Sequence, residues 1–369
     1  MTHIAVVGAG IIGAATADRL AAAGARVTLL EARQPGSGAS GTSLAWLNSF
    51  HKPPRHYHDL SVRAIAEWRR LADGFGDPPW YVPTGSIMWA DTGDLARHVG
   101  RLRDWDYPVT ELTAAKVADL EPQLRLPPEL PAVYFPADGF LHGGAAVRAR
   151  VERAQSRAVV NADSPVADVQ TDGAAVTGVR LISGRRVTAD AYVFCAGAAT
   201  PGLLAGTGIA VALEPGDAPD SPAPCLVAHV RTPARLVRRV IQAPDLSLRP
   251  LSEPGLYLEA GDLNAGVDVH TGATDLDRCA TELLARATAV LPALASAGSP
   301  AGRRICVRPL PVDGKPIIGW LALDNAYLIV THSGMTLGAL LGRLAAAELL
   351  GEPQAVLQPY RPQRFLNPA

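Results

Sequence analysis

Lysine is nearly missing from this chain. Of its 34 basic residues only Lys52, Lys116 and Lys315 are lysines, and the other 31 are arginines. No lysine stands between 116 and 315, so a reaction that needs an ammonium group has three positions to draw on. Cysteine is scarce too: Cys195, Cys225, Cys279 and Cys306 lie far apart and form no CxxC pair. That spacing excludes a disulfide framework and a structural zinc site, and it suits a reducing compartment. There is no excess of either charge. A formal net charge of −1 and a pI near 6.8 give no electrostatic reason to expect nucleic acid or an anionic membrane as partner. No stretch approaches the roughly 18 apolar residues that a membrane span requires, and no basic, cleavable apolar segment precedes the first strand. The expectation is a cytoplasmic protein with a small neutral or zwitterionic ligand.

What is present is apolar material: 369 residues, 48% hydrophobic and 19% charged, enough for one large core or two smaller ones. It begins with "HIAVVGAG", a short apolar run ending in glycines, as in a strand buried on both faces of a parallel sheet. "IIGAATADRLAAAGA" has helical spacing and stops near Gly24, and "RVTLLEA" is β-branched again. This is a βαβ unit with a dinucleotide-binding turn. Gly8 permits the tight turn, Gly10 lets backbone approach a pyrophosphate, and Gly13 lets helix and strand pack closely. Glu31, 18 residues after Gly13, can accept hydrogen bonds from ribose hydroxyls and disfavours the 2′-phosphate of NADP.

A second polar loop, "ARQPGSGASGTSLAWLN", follows where a simple NAD domain would continue into another crossover, and it suits a longer cofactor. "HYHDLSVRAIAEWRRLAD" then has helical periodicity, and "RRVTADAYVFCAGAAT" gives a strand ending in "CAGA". Near the C-terminus "RPLPVDGKPIIGW" precedes "NAYLIVTHSGMTLGALLGRLAAAELLG". The latter predicts a helix from about Gly334, whose N-terminus carries unpaired N–H groups and about half a positive charge.

In residues 4–48, 185–200 and 303–351 the sequence resembles the D-amino-acid oxidase-like FAD-dependent oxidoreductases, the family of glycine oxidase and monomeric sarcosine oxidase. The specific element is Arg-Pro followed by Asp-Gly-x-Pro-x-Ile-Gly, a strand and a glycine-led helix. The resemblance implies an α/β (α+β overall) fold, with a Rossmann-like FAD-binding domain and a second, mostly antiparallel-sheet substrate domain. The implied division is 1–80, 141–215 and 303–369 for FAD, and 81–140 and 216–302 for substrate. It also implies that FAD is held by Gly8, Gly10, Ile11, Ile12 and Gly13, by Glu31, Ala32 and Arg33, and by Ala39, Ser40, Gly41, Thr42, Ser43, Ala45 and Trp46. Val166, Ala196, Gly197, Cys306, Arg308, Ser333, Gly334, Met335 and Thr336 complete that set.

Arg308 matches the family's carboxylate-binding arginine; a guanidinium grips a carboxylate with two prongs, and the alternative is an ion pair with Asp313. His332 stands where glycine oxidase has a second arginine, and it can bind substrate, accept a proton or simply pack. Cys306 sits where sarcosine oxidase carries its covalent flavin, although noncovalent FAD is expected here. Sarcosine oxidase activates oxygen with a mid-chain lysine that this sequence lacks. In "WLNSFHKPPRHYHDL", Lys52 or Arg55 can contact a carboxylate or replace that lysine, or the segment can be a solvated loop; His51, His56 and His58 are not spaced as a metal set.

The expected function is transfer of a hydride from Cα of a small amino or imino acid to flavin N5, giving an imine, with O2 as acceptor. The alternatives are a dehydrogenase serving another acceptor, an FAD-binding subunit with a structural role and, least favoured, an NAD-binding protein.

Overall fold

The computed structural model describes residues 1–365 except 91, 128 and 219. The chain divides into two compact units, Met1–Gly41 with Gly143–Pro215 and Arg308–Ala369, and Thr42–His142 with Gly216–Val307.

The first unit is built on a six-stranded sheet. Its strand order is Ile317–Trp320, Ala326–Val330, Ala191–Phe194, His3–Val7, Arg26–Leu30 and Ala158–Asn161. All neighbours are parallel except Ile317–Trp320, which runs against Ala326–Val330. Apolar runs such as IAVV and AYVF are buried along their whole length, as strands covered on both faces must be. The helix Ile11–Ala22 lies between Gly143–Gln155 and Gly334–Leu349. Its Asp18 is 2% exposed and bonds Arg150, which is fully buried, at 3.0 Å, with Arg153 on the same carboxylate. Val166–Thr171, Val176–Leu181 and Arg186–Val187 form a small antiparallel sheet.

The second unit carries an eight-stranded sheet in the order Ser299–Val307, Pro224–Arg231, Gly255–Glu259, Leu246–Pro250, Val240–Ala243, Ser86–Trp89, Ala132–Phe135 and Thr110–Leu112. Among the described residues of this sheet only Val240–Ala243 and Ser86–Trp89 pair in parallel. Alternation sorts its faces. Leu226, Ala228 and Val230 pack with Leu283 and Ala287 of the helix Ala273–Val290, while Cys225, Val227 and Tyr257 form a separate cluster with Leu44 and Leu251. A three-stranded sheet joins Trp46–Leu47 and Tyr81–Val82 to Gly139–Leu141. That pairing draws 42–80 into the second unit, so the compact units are cut differently from the functional division expected at residues 80 and 140. Among the described residues no helix is long and apolar enough to cross a membrane.

Candidate cofactor and substrate site

In the first unit the glycine turn is built as its spacing requires. Gly8 has φ of +99°, and a Cβ there would lie 2.5 Å from the Cys195 carbonyl oxygen. A Cβ on Gly13 would lie 1.8 Å from the Gly8 oxygen, so no side chain fits. Gly10 differs: its Cβ would meet only the Ser40 Oγ, at 3.2 Å, so this position opens onto space rather than onto protein. The Ile11 N–H donates to Ser40 Oγ at 2.9 Å. Glu31 accepts from the N–H groups of Ala9 at 2.7 Å and Arg33 at 3.0 Å. These bonds aim the carboxylate at the turn and use two of its roughly four acceptor positions. Ala39 and Gly41 belong to the short helix Ala39–Thr42, which carries Ser40 to the turn, and Ala32 and Arg33 follow the second strand.

The helix Gly334–Leu349 starts beside this turn. Gly334 faces Ile11 and Ile12, Gly338 faces Ile11, and Gly342 faces Ala15 at a spacing that leaves no room for a Cβ. The two helices therefore run parallel with their first turns adjacent, which sets two half-positive ends side by side. Ser333, Met335 and Thr336 are buried at the second of these ends, and the Ser333 N–H donates to Thr331 Oγ1. His332 is exposed in the turn before the helix. Ala196 and Gly197 follow the strand Ala191–Phe194, Gly197 with φ of +58°, and Val166 opens the small sheet.

Arg308 is partly buried and stands one residue beyond the strand Ser299–Val307. Asp313, the internal partner considered for it, is held by Arg364 at 2.9 Å and Lys315 at 3.8 Å.

The loop from Thr42 to Trp46 belongs to the second unit. Ala45 adopts φ of +56°, which turns the chain so that the Trp46 indole donates to Asp138 at 2.9 Å. Arg249, 5% exposed and opposite Tyr257 in the sheet, donates to the carbonyls of Leu44 and Ser43 and stacks on the Tyr257 ring at 4.7 Å. Lys52 is partly buried, and burial pushes its pKa down to about 8. Arg55 opens the helix Arg55–Asp73 as a half-exposed ion pair with Asp59 at 2.8 Å, an ordinary solvated arrangement. Cys306 is 3% exposed and lies opposite Cys225.

Nothing in the local sequence marks Asp138, Tyr107, Ser86 or Arg249 as site residues. Asp138 is buried and accepts from Trp46, Ser86 and Tyr107, donors that are distant in sequence. Burial raises its pKa to about 7. The folded state therefore binds a proton that the unfolded state has released, from about pH 4 to about pH 7, and stability falls across that window as pH rises. Asp138→Asn keeps the acceptor and removes the titration. Relative to wild type it is expected to gain a few kcal/mol between pH 4 and 7 and nothing further above, read by urea unfolding at each pH. Parallel pH profiles for the two proteins would refute this.

The chain matches the protein family described as "FAD dependent oxidoreductase" over residues 3–348. It is 27% identical to a glycine oxidase of Pseudomonas aeruginosa, across 98% of both chains. Its structure is similar to that of the glycine oxidase from Geobacillus kaustophilus, with a TM-score of 0.82 and 25% identity over 98% of each chain. It also shares the fold of an L-proline dehydrogenase from P. horikoshii, with a TM-score of 0.83 at 18% identity over 99% and 98% of the chains.

Proposed function

The chain belongs to the FAD-dependent oxidoreductase family that matches residues 3–348, and from that premise we propose that it oxidises the C–N bond of a small amino or imino acid with oxygen as acceptor. The observation that carries the cofactor assignment is the pair of adjacent helix N-termini beside a glycine whose missing side chain leaves open space. FAD, when bound, accepts the hydride from the carbon beside nitrogen.

In this proposal Gly8, Gly10, Ile11, Ile12, Gly13 and Ser40 line the pyrophosphate position, and Glu31, Ala32 and Arg33 line the ribose. The loop Ala39, Gly41, Thr42, Ser43, Ala45 and Trp46 holds the ring side, with Val166, Ala196 and Gly197 completing the cofactor's contacts. Helix Gly334–Leu349, with Ser333, Met335 and Thr336 at its start, offers positive potential to negative charge on the reduced ring. Arg308 orients the substrate carboxylate through a two-pronged contact, and His332 is the candidate second contact or proton acceptor. The compartment proposed is the cytoplasm.

A second version, a dehydrogenase passing electrons to another acceptor, is favoured by the absence of any lysine between 116 and 315. Reoxidation separates the two. Substrate-reduced protein that returns to the yellow form in air, forming hydrogen peroxide, supports the oxidase. Protein that stays bleached in air but is reoxidised by a quinone supports the dehydrogenase.

Noncovalent FAD carries its own test. Acid precipitation is expected to release the flavin to the supernatant from both wild type and Cys306→Ala. Flavin that stays with the wild-type pellet and leaves that of Cys306→Ala would establish a thioether instead.

A further inference from the structure

Two of the four cysteines, distant in sequence, are brought face to face in the second unit. Cys225, in the strand Pro224–Arg231, stands directly opposite Cys306 in the antiparallel strand Ser299–Val307. Residues paired in this way point to one face of the sheet, with Cα atoms about 4.5–5.5 Å apart, inside the roughly 4.4–6.8 Å that a disulfide spans. Both are 3% exposed, and neither is part of a disulfide. Tyr257 reports the same convergence: burial raises its pKa, and both thiols add to the rise while Arg249 opposes it. The other two cysteines are placed differently. Cys279 packs with Leu226 and Ala228 on the opposite face of the sheet, and Cys195 belongs to the first unit.

Joining the pair asks for little movement. Opposite Cβ atoms in such a sheet lie about 5 Å apart and a disulfide needs roughly 4 Å, a shift of about 1 Å. Ser299–Val307 is the outermost strand, paired only with Pro224–Arg231 among the described residues, and Cys306 is its next-to-last residue. The end of an edge strand opens locally at low cost, which supplies the shift and admits a small oxidant to thiols that are otherwise covered. The reacting form is a thiolate, which a neighbouring cation favours, and the Arg249 guanidinium stands 4.7 Å from the Tyr257 ring that packs with Cys225.

We propose that Cys225 and Cys306 form a modification site, a thiol pair that hydrogen peroxide converts to a cross-strand disulfide. One thiolate attacks a peroxide oxygen; the O–O bond breaks, hydroxide leaves and a sulfenic acid remains. The second sulfur displaces that oxygen, the Sγ–Sγ bond forms, and water leaves. In sum, two thiols and one peroxide give one disulfide and two waters, the sulfurs losing the two electrons that the peroxide gains. An oxidase of the kind proposed above releases this oxidant as its own product. The site does not rest on that reading, because added peroxide serves equally.

The test treats the FAD-loaded protein with a small excess of hydrogen peroxide, alkylates the remaining thiols in denaturant and maps the peptides by mass spectrometry without reduction. The expected result is one linked peptide pair joining Cys225 to Cys306, with the count of alkylated thiols falling from four to two. Dithiothreitol should restore the full count. Cys195 and Cys279 are internal controls and stay alkylated. Cys225→Ser and Cys306→Ser should each yield no linked peptide, and one of them suffices if the other does not retain FAD. A wild-type thiol count that stays at four, sulfinic or sulfonic acid in place of the linked peptides, or a link through Cys195 or Cys279 would overturn the proposal.

Discussion

Gly10→Val is expected to give a folded protein without its yellow colour. The glycine lies at the start of helix Ile11–Ala22 with an extended backbone, so no left-handed conformation is lost on substitution. Within the protein a Cβ there meets only the Ser40 hydroxyl, at 3.2 Å, which can rotate away. The branched side chain would instead fill the space through which a pyrophosphate approaches the helix N-terminus. Most bound FAD should be lost while far-UV circular dichroism and soluble yield stay near those of the apoprotein. Gly13→Ala provides the contrast: its Cβ would fall 1.8 Å from the Gly8 oxygen, so folding itself should suffer. Retention of stoichiometric FAD by Gly10→Val would remove this turn from the cofactor site.

Arg308→Ala carries the second large effect. If the guanidinium holds a carboxylate, Arg308→Lys keeps the charge without the fork and Arg308→Ala loses both, so anaerobic flavin reduction should fall in that order. A hydrogen bond to a charged group contributes about 1.5–3 kcal/mol, which predicts a roughly ten- to hundredfold drop for the loss of one such bond. The drop is larger if the fork also sets the substrate's angle. FAD content should hardly change. Equal reduction rates for Arg308→Ala and wild type would move the carboxylate site to His332 or Lys52. Arg55 is a weaker substitute, since its guanidinium is engaged with Asp59 on the helix surface.

The sequence made some of this legible and hid the rest for physical reasons. Local chemistry was readable: Gly8, Gly10, Gly13 and Glu31 sit in one βαβ unit, and the helix beginning at Gly334 is marked by its own glycine and apolar spacing. The juxtaposition of its first turn with Ile11 and Ile12 was not, because it depends on small residues 300 and more positions away. Asp138 reads as a loop residue in "FPADGF"; only the fold brings Trp46, Ser86 and Tyr107 around it. Arg249 gave no sign either. It sits in a short strand among apolar neighbours, and its partners Ser43 and Leu44 lie some 200 residues earlier.

The central claim is that FAD in this protein takes electrons from a small amino or imino acid. The direct measurement is anaerobic reduction of the purified yellow protein, followed at the flavin absorption band, across amino acids, cyclic imino acids and N-methyl amino acids. The account predicts saturable bleaching by at least one carboxylated amine, with the imine or its hydrolysis product formed in proportion to the flavin reduced. A flavin that none of these compounds bleaches, but that dithionite does, would contradict it.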